Sequence, residues 1–327
     1  MFVEKNNSIT AVPGVRVGHV TLYEKLNDED TICTGVTAIL PHGGNLFQEK
    51  VAAGCHVFNG FGKTVGLVQL EELGLLESPI MLTNTFGVGN VLQGTLQYML
   101  EQNDDIGDTT STINIVVGEC NDGYLNSIRI PAVQPEHAIQ AIQAATTDPV
   151  KQGAIGAGKG MVCFGYKGGI GSASKLVYYN DIMYTVGCLV LSNFGKKEDA
   201  LFANLQEKSA DDTPDGSIII VLATDAPLYD RQLKRLARRS GLGLGRVGSH
   251  MANGSGDIAI AFSTAHRYQH SSKNMTEQIT FIRDDHPIMN LLFQAAVEIT
   301  ENAIIHSLKF AETTTGRKGR IIKRAPL

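Results

Sequence analysis

The sequence predicts an α+β fold in which helices and sheets pack in layers, and three observations support this prediction. Short apolar runs rich in β-branched residues, bounded by Gly, Asn, Asp or Pro, are typical of buried strands. Longer segments with apolar residues three and four positions apart are typical of helices. The two kinds of segment come in clusters rather than in strict alternation, which favours layered packing over a doubly wound parallel sheet.

These patterns assign the individual elements. We predict strands over residues 34–40, 113–117, 184–191 and 218–222. We predict helices over residues 91–100, 135–145, 230–239 and 288–308, with Pro135 and Asn290 near two of the helix starts. The charged segment 196–216 is interpreted as a solvated surface excursion between two strands. With 327 residues, 43% of them hydrophobic, the chain is long enough to bury a large core as one domain or as two closely packed ones, and we predict a single domain over residues 1–327.

Composition restricts the classes of partner. The formal net charge is -5, and Lys and Arg residues are scattered rather than massed, so the sequence lacks the electrostatic footprint of a nucleic-acid-binding protein. We recognise no signal peptide and no uninterrupted apolar run of membrane-spanning length, and we therefore expect a cytoplasmic protein that acts on a small molecule. The five cysteines are odd in number, widely spaced and never in a CxxC arrangement, so they are interpreted as buried small hydrophobic residues rather than disulfides or zinc ligands.

A glycine-rich segment at residues 153–174 (GAIGAGKGMVCFGYKGGIGSAS) raises the question of a phosphate-binding loop. A P-loop needs Ser or Thr directly after its Lys, and a dinucleotide fingerprint needs an acidic residue about twenty positions further on. Neither pattern is met, so we expect no nucleotide, cofactor or metal. The glycines instead predict a tight backbone crossing or the backbone lining of a pocket.

A second glycine concentration, residues 241–264, places Ser249 directly after Gly248 at the junction of a basic helix and a strand-like run. A glycine carbonyl has no neighbouring side chain to block attack, and a strained peptide can undergo an N→O acyl shift to the serine hydroxyl. Hydrolysis of that ester leaves a terminal serine whose own α-amine, with an unperturbed pKa of about 7.7–8.0, can accept the hydroxyl proton. The dipeptide by itself is more often an ordinary turn, so the surrounding sequence has to decide.

The surrounding sequence resembles the DmpA-like, or P1, aminopeptidases of peptidase family S58, a group that includes L-aminopeptidase/D-esterase and β-peptidyl aminopeptidases. Eight blocks occur in the order of that family: PGVRVGHVT (13–21), TGVTAILP (34–41), NGFGKTVGL (59–67), GECNDGYLN (118–126), FGYKGGIGSAS (164–174), LSNFG (191–195), ATDAPL (223–228) and RVGSHMANGSGDIAIAFST (246–264). The resemblance implies a four-layer α-β-β-α sandwich that shares its chemistry, but not its connectivity, with N-terminal-nucleophile hydrolases. It also implies a homotetramer.

The resemblance implies a nucleophile and an oxyanion donor. The family's cleavage site falls between Gly248 and Ser249 and gives fragments 1–248 and 249–327, so that Ser249 becomes both the terminal amine and the nucleophile. The oxyanion-donating asparagine of the family matches Asn193, a neutral amide able to hold developing negative charge.

The remaining implied positions concern substrate binding and support of the nucleophile. The glutamate that pairs with the free amino group of the substrate matches Glu119. Asn121 stands where the aminopeptidase/esterase type has a tyrosine beside the oxyanion, so it is a candidate pocket-lining residue. The last helix of the family carries a Thr/Ser-Glu-Glu triplet, which here reads Thr300-Glu301-Asn302, and Thr300 and Glu301 are candidates for orienting the terminal amine.

These observations together predict a self-cleaving serine aminopeptidase that hydrolyses amides or short peptides with a free N-terminal amino group through an acyl-enzyme. Two alternatives remain open. An acyltransferase of the ornithine acetyltransferase type would use the same intermediate, although its usual nucleophile is threonine. An unprocessed, non-catalytic binding protein would keep the glycine-rich pocket without ever cleaving.

Overall fold

The computed structural model describes residues 6–202 and 216–327. The helices are α1 (Leu67–Leu73), α2 (Val88–Leu100), α3 (Pro135–Gln143), α4 (Asp230–Arg246) and α5 (Ile288–Lys309). The strands are β1 (Arg16–Lys25), β2 (Thr31–Leu40), β3 (Glu49–Gly60), β4 (Leu75–Leu76), β5 (Ile80–Asn84), β6 (Val116–Cys120), β7 (Val162–Cys163), β8 (Tyr166–Lys167), β9 (Gly169–Tyr179), β10 (Ile182–Asn193), β11 (Ser217–Thr224), β12 (Gly256–Ser263), β13 (Tyr268–Gln269), β14 (Thr314–Thr315) and β15 (Ile321–Ile322).

Two large sheets, as far as the described residues extend, stand at the centre of the fold. The first has the order β1-β2-β5-β6, with antiparallel β1–β2 and β2–β5 pairs and a parallel β5–β6 pair. The second has the order β13-β3-β12-β11-β10-β9, in which β11 and β12 are parallel and β4 adds to β3. Mixed pairing of this kind agrees with the predicted α+β class rather than with a doubly wound parallel sheet.

Strand β11 shows why the two sheets form the inner layers. Ile218, Ile220 and Leu222 belong to the hydrophobic cluster that includes α4 and α5, whereas Ile219 and Val221 belong to the cluster between the two sheets. Because side chains alternate across a strand, a strand that is buried on both faces needs an unbroken apolar run. The apolar segment that predicted this strand is therefore the consequence of its central position.

Helices form the two outer layers. Val91 of α2 and Ala141 of α3 share a cluster with Met81 on the outer face of the first sheet. Leu236 of α4 and Leu292 of α5 cover the outer face of the second sheet. The order of layers is α-β-β-α, which confirms the implied sandwich.

The predicted elements correspond to observed ones, but α4 runs beyond its predicted end at residue 239. Glycines after that point suggested that the helix stops, since glycine weakens a helix interior. Gly243 instead serves helix packing, because a β-carbon there would lie 2.5 Å from the carbonyl oxygen of Val297 on α5. The longer helix carries the chain directly to the predicted cleavage site.

Strand β6 begins at Val116, later than the predicted start at residue 113. The N–H of Asn114 donates to a carboxylate oxygen of Glu77 over 2.7 Å, and its side-chain amide donates to the Gly66 carbonyl over 2.8 Å. The Asn114 N–H therefore bonds to the Glu77 side chain and not to the backbone of a neighbouring strand.

The charged segment 196–216 differs in part from its prediction as a solvated excursion where it can be described. Residues 203–215 lie outside the described residues. At the start of the segment, Ala200 is buried, and the Leu201 N–H donates to the Val247 carbonyl at the end of α4 over 3.1 Å. The ring of Phe202 packs edge-on against Phe164. Ala200 and Phe202 hold the start of the segment against the core, whereas Lys196, Glu198 and Leu201 are exposed, as predicted for a surface segment.

Helix α5 is a core element. Among the described residues it is the one helix that is long and apolar enough to cross a membrane by length and composition, but most of its apolar stretch is buried against α4, β9 and β10. The five cysteines are also buried, and all of them are free thiols, as predicted.

Candidate active site

Ser249 lies three residues after the end of α4, at the point where the chain leaves the helix. Its N–H donates to the Leu244 carbonyl over 3.2 Å, and its Oγ accepts a hydrogen bond from the Met251 N–H at 3.3 Å. Met251 has a positive φ of 55°, which is uncommon for a residue with a side chain. The backbone around Ser249 is therefore tightly folded on both sides of the serine.

Gly248 occupies a position that only glycine fits. Its φ is +108°, and an added β-carbon would lie 1.7 Å from the Asp199 carbonyl oxygen. Asp199 belongs to the segment that the Leu201–Val247 hydrogen bond fixes against the end of α4. The peptide between Gly248 and Ser249 is thus held in an unusual conformation by a neighbouring chain segment.

Ser249 lines a cavity of about 310 Å³. The walls combine charged and polar groups with a few apolar side chains and much exposed backbone. Its lining residues are Phe194, Gly195, Lys196, Glu198, Asp199, Gly216, Gly248, Ser249, His250, Met251, Ala252 and Ser255. A concave site of this size suits a small molecule or the end of a short peptide.

Asn59 anchors the loop that follows Ser249, and sequence reasoning did not single it out. Its Nδ2 donates to the carbonyl of Ala252 over 3.0 Å and to that of Asn253 over 3.1 Å, and it also contacts the Ser255 carbonyl. Asn59 sits near the end of β3, beside β12. The signal was available, because Asn59 opens one of the eight family-like blocks.

Asp257 is a second residue that sequence reasoning missed. Its carboxylate is fully buried, and one oxygen accepts a hydrogen bond from the Ser255 hydroxyl over 2.7 Å. The other oxygen has no hydrogen-bond partner among the described residues. Burial raises the pKa of Asp257 to about 6, although the charge of the nearby His250 opposes this rise. A carboxyl group that titrates close to neutrality therefore lies behind the loop that carries Ser249.

Asn193 ends β10, and its side-chain amide is oriented from both sides. The amide oxygen accepts from the Val162 N–H over 2.8 Å, and Nδ2 donates to the Asn121 carbonyl over 3.0 Å. The side chain forms no turn with Gly195; Gly195 and Phe194 instead line the cavity directly after Asn193. Among the described residues, the second N–H of this amide finds no acceptor.

Glu119 lies in β6 with only 3% of its surface exposed. One carboxylate oxygen accepts from the Lys63 N–H over 2.8 Å, and the other accepts from the Thr85 hydroxyl. Glu119 is thus a buried carboxylate without a cationic side chain as its hydrogen-bond partner among the described residues. Such a group has acceptor capacity left for an ammonium ion.

The side chain of Asn121 makes a local turn, with its oxygen accepting from the Gly123 N–H over 2.9 Å. This side chain is exposed and is not among the cavity-lining residues. Asn121 reaches the candidate site through its backbone, since its carbonyl is the acceptor for Asn193.

Thr300 and Glu301 lie on α5 next to the last turns of α4. The Thr300 hydroxyl is buried and donates to the Ala296 carbonyl over 2.7 Å. Glu301 forms an ion pair with Arg246 at 3.2 Å, and Arg246 precedes Gly248 by two positions. Neither residue lines the cavity in the intact chain.

No group of three or more His, Cys, Asp or Glu side chains suited to a metal ion occurs within residues 6–202 and 216–327.

Comparison with known proteins gives consistent matches over nearly the whole chain. The model of the family described as Peptidase family S58 matches residues 7–322. The chain is 40% identical to the beta-peptidyl aminopeptidase BapA of Sphingosinicella microcystinivorans, over 98% of this chain and 86% of that protein.

Solved structures with the same fold include the PH0078 protein from Pyrococcus horikoshii OT3, with a TM-score of 0.92 and 49% identity over 98% of this chain and 92% of that one. They also include the L-aminopeptidase D-Ala-esterase/amidase from Ochrobactrum anthropi, with a TM-score of 0.90 and 34% identity over 98% of this chain and 91% of that one. The latter is described as a prototype of the serine aminopeptidases and as a variant of the Ntn hydrolase fold.

Proposed function

Because the chain belongs to peptidase family S58, we propose that Ser249 is its nucleophile and that cleavage of the Gly248–Ser249 bond exposes it. The protein is a serine aminopeptidase that hydrolyses amides or short peptides with a free N-terminal amino group. The observation that carries the residue assignment is a glycine at a position that only glycine fits, directly before a serine that lines a cavity.

Self-cleavage would begin with attack of the Ser249 Oγ on the carbonyl carbon of Gly248. The Oγ proton passes to the nitrogen of Ser249 as the C–N bond breaks, the carbonyl carbon becomes esterified to Oγ, and the nitrogen leaves as a free amine. Water then hydrolyses the ester and leaves a carboxylate on Gly248. The positive φ of Gly248 and its close packing against Asp199 favour this reaction, since they fix the peptide in one conformation and leave no side chain beside its carbonyl.

In turnover, the freed α-amine of Ser249 would take the Oγ proton as Oγ attacks the substrate carbonyl. Its unperturbed pKa of about 7.7–8.0 suits a base that works near neutrality. The second N–H of the Asn193 amide would stabilise the oxyanion, and the leaving amine would receive the proton. Water then attacks the acyl-enzyme and releases the product acid.

Glu119 would bind the substrate ammonium. A buried carboxylate attracts a cation strongly, because little water screens the interaction. The hydrogen bonds from Lys63 and Thr85 fix the carboxylate in one orientation and leave lone pairs for the ammonium. A substrate without a free amino group would leave that buried charge unpaired, which explains a preference for free amino termini.

Thr300 and Glu301 would orient the Ser249 amine after cleavage, when the new terminus is free to move relative to α4.

Two relatives are named beta-peptidyl aminopeptidases, which favours substrates with a β-amino acyl residue. They are BapA of Sphingosinicella microcystinivorans and BapA of Sphingosinicella xenopeptidilytica, and the latter is 37% identical over 95% of this chain. Asn121 would border the site through its backbone. We further propose a homotetramer located in the cytoplasm.

One assay tests this function against the acyltransferase alternative. We expect hydrolysis of aminoacyl anilides, including β-alanyl anilide, and no detectable hydrolysis of the same compounds after N-acetylation. Addition of a primary amine as acceptor should leave the released acid as the main product. Dominant transfer to the amine, or equal hydrolysis of acetylated substrates, would contradict the proposal.

A further inference from the structure

Lys167 is a fully buried lysine inside the glycine-rich segment. Its Nζ donates three hydrogen bonds to backbone carbonyls: to Gly158 over 3.0 Å, to Met161 over 2.7 Å and to Gly168 over 2.8 Å. These bonds use every proton of an ammonium group. The loop formed by residues 158–168 is therefore folded around one buried side chain.

This loop fixes the residues at the end of β10. The Val162 N–H donates to the side-chain oxygen of Asn193 over 2.8 Å, and the Phe164 N–H donates to the Phe194 carbonyl over 2.7 Å. The Val162 bond determines which way the Asn193 amide points, because only the amide oxygen can accept it. Loss of order in the loop would remove the bond that fixes the amide oxygen and leave the bond from Nδ2 to the Asn121 carbonyl.

An acidic residue, Asp122, is next in sequence to the residue that accepts from the same amide. Asp122 directly follows Asn121, whose carbonyl accepts from the Asn193 Nδ2. Asp122 is fully buried, and one of its oxygens has no partner among the described residues. The other charged and titratable groups that interact with Lys167 are Cys33, Lys159 and Cys163. Burial lowers the pKa of Lys167 to about 7 and raises the pKa of Asp122 to about 7.

We propose that Lys167 is a positioning residue that orients the Asn193 amide through the loop of residues 158–168. The proposal rests on the role of Asn193 as oxyanion donor. The three hydrogen bonds from Lys167 to backbone carbonyls stabilise the loop, and the loop positions the Val162 N–H. This N–H donates to the amide oxygen of Asn193 and so fixes its orientation. The remaining amide N–H is then directed at the developing charge before the reaction begins.

The test is a double-mutant cycle with Lys167→Met and Asn193→Ala on an aminoacyl anilide, with kcat normalised to the amount of fragment 249–327. Asn193→Ala should lower kcat by about 100- to 1,000-fold. Lys167→Met should lower kcat by about 10- to 100-fold with KM unchanged within about threefold, because it misplaces a group used in the transition state. The double variant should be no slower than Asn193→Ala alone by more than about threefold.

Two controls separate positioning from a loss of folding. Lys50→Met also removes a buried lysine, one that pairs with Glu77 in another part of the molecule, and it should lower thermal stability without changing kcat. If Lys167→Met gives no folded protein, Lys167→Gln, which keeps two donors, takes its place in the cycle. The rate of self-cleavage provides a second readout for each variant.

The outcomes distinguish this inference from the proposed function. If Asn193→Ala leaves kcat unchanged, the oxyanion role of Asn193 is wrong. If Asn193→Ala is slow but the Lys167 variants keep full kcat, or if the two effects multiply in the double variant, Lys167 does not act through Asn193.

Discussion

Gly248 packs so closely beneath the carbonyl of Asp199 that a β-carbon at position 248 would lie 1.7 Å from the carbonyl oxygen. This contact joins the predicted cleavage site to a segment that the sequence alone assigns to solvated surface. Together with the positive φ of Gly248, it explains why the residue before Ser249 has to be glycine.

Replacement of Gly248 by alanine should abolish self-cleavage. The methyl group would force the peptide away from Asp199 and out of its positive φ, so the Ser249 hydroxyl would lose its approach to the carbonyl carbon. Gly245→Ala is the matched control, because a β-carbon there meets nothing within 4 Å, and it should cleave normally. Denaturing gels of freshly purified protein measure both, and normal cleavage of Gly248→Ala would show that cleavage does not depend on the close packing of Gly248.

Glu119→Gln should weaken the use of free-amine substrates. Loss of the negative charge removes an ion-assisted hydrogen bond worth about 1.5–3 kcal/mol, which corresponds to roughly a 10- to 100-fold loss of kcat/KM. Glu77→Gln, which changes another buried carboxylate away from the site, should leave kcat/KM unchanged. Steady-state kinetics decide the matter, and an unaltered kcat/KM in Glu119→Gln would remove this residue from substrate binding.

Asp257 should make stability depend on pH. Burial raises the pKa of Asp257 in the folded chain to about 6, above the unfolded value. The contribution of the protonated carboxyl group to the free energy of unfolding is therefore fully present below about pH 4 and is lost as the pH rises through 6. Asp257→Asn does not ionise at this position, so this variant does not lose that stability as the pH rises. Its free energy of unfolding relative to wild type should therefore increase between pH 4 and pH 7, by up to roughly 2–3 kcal/mol. Parallel urea unfolding curves at the two pH values provide the measurement, and a constant difference would rule out this titration.

Glu301→Gln should lower kcat by about tenfold if this carboxylate orients the terminal amine, an effect typical of supporting residues. The paired Arg246 would lose its partner, but an ion pair this exposed contributes at most about 1 kcal/mol to stability. Glu298 lies on the same helix as Glu301 and forms a comparable ion pair with Lys175 of β9. Glu298→Gln, which breaks this pair, is the control. Equal kcat values for the two variants would assign Glu301 to a purely structural ion pair.

Strands β3 and β9 mix apolar residues with glycine and polar residues and were not predicted, whereas a strand that is an unbroken apolar run could be predicted from the sequence. Strand β11, with Ile219 facing one layer and Ile220 the other, is the clearest example. Helix α4 was predicted too short, since glycine has a low helix propensity, whereas Gly243 is required by the approach of α5.

The site was only partly accessible to sequence reasoning. Ser249 could be predicted as the nucleophile from the eight family-like blocks rather than from the Gly-Ser dipeptide, but the contact with Asp199 depends on how two distant segments pack. Lys167 illustrates the same limit. A lysine within a run of glycine and apolar residues was the available signal, yet only the structure reveals its three carbonyl partners.

Intact-mass measurement of the wild type and of Ser249→Ala tests the central claim most directly. We predict two wild-type fragments, residues 1–248 and 249–327, with Ser249 at the new N-terminus, and a single inactive chain for Ser249→Ala. A wild-type protein that remains one chain of 327 residues and still hydrolyses aminoacyl anilides, or a Ser249→Ala variant that cleaves at the same bond, would contradict the account.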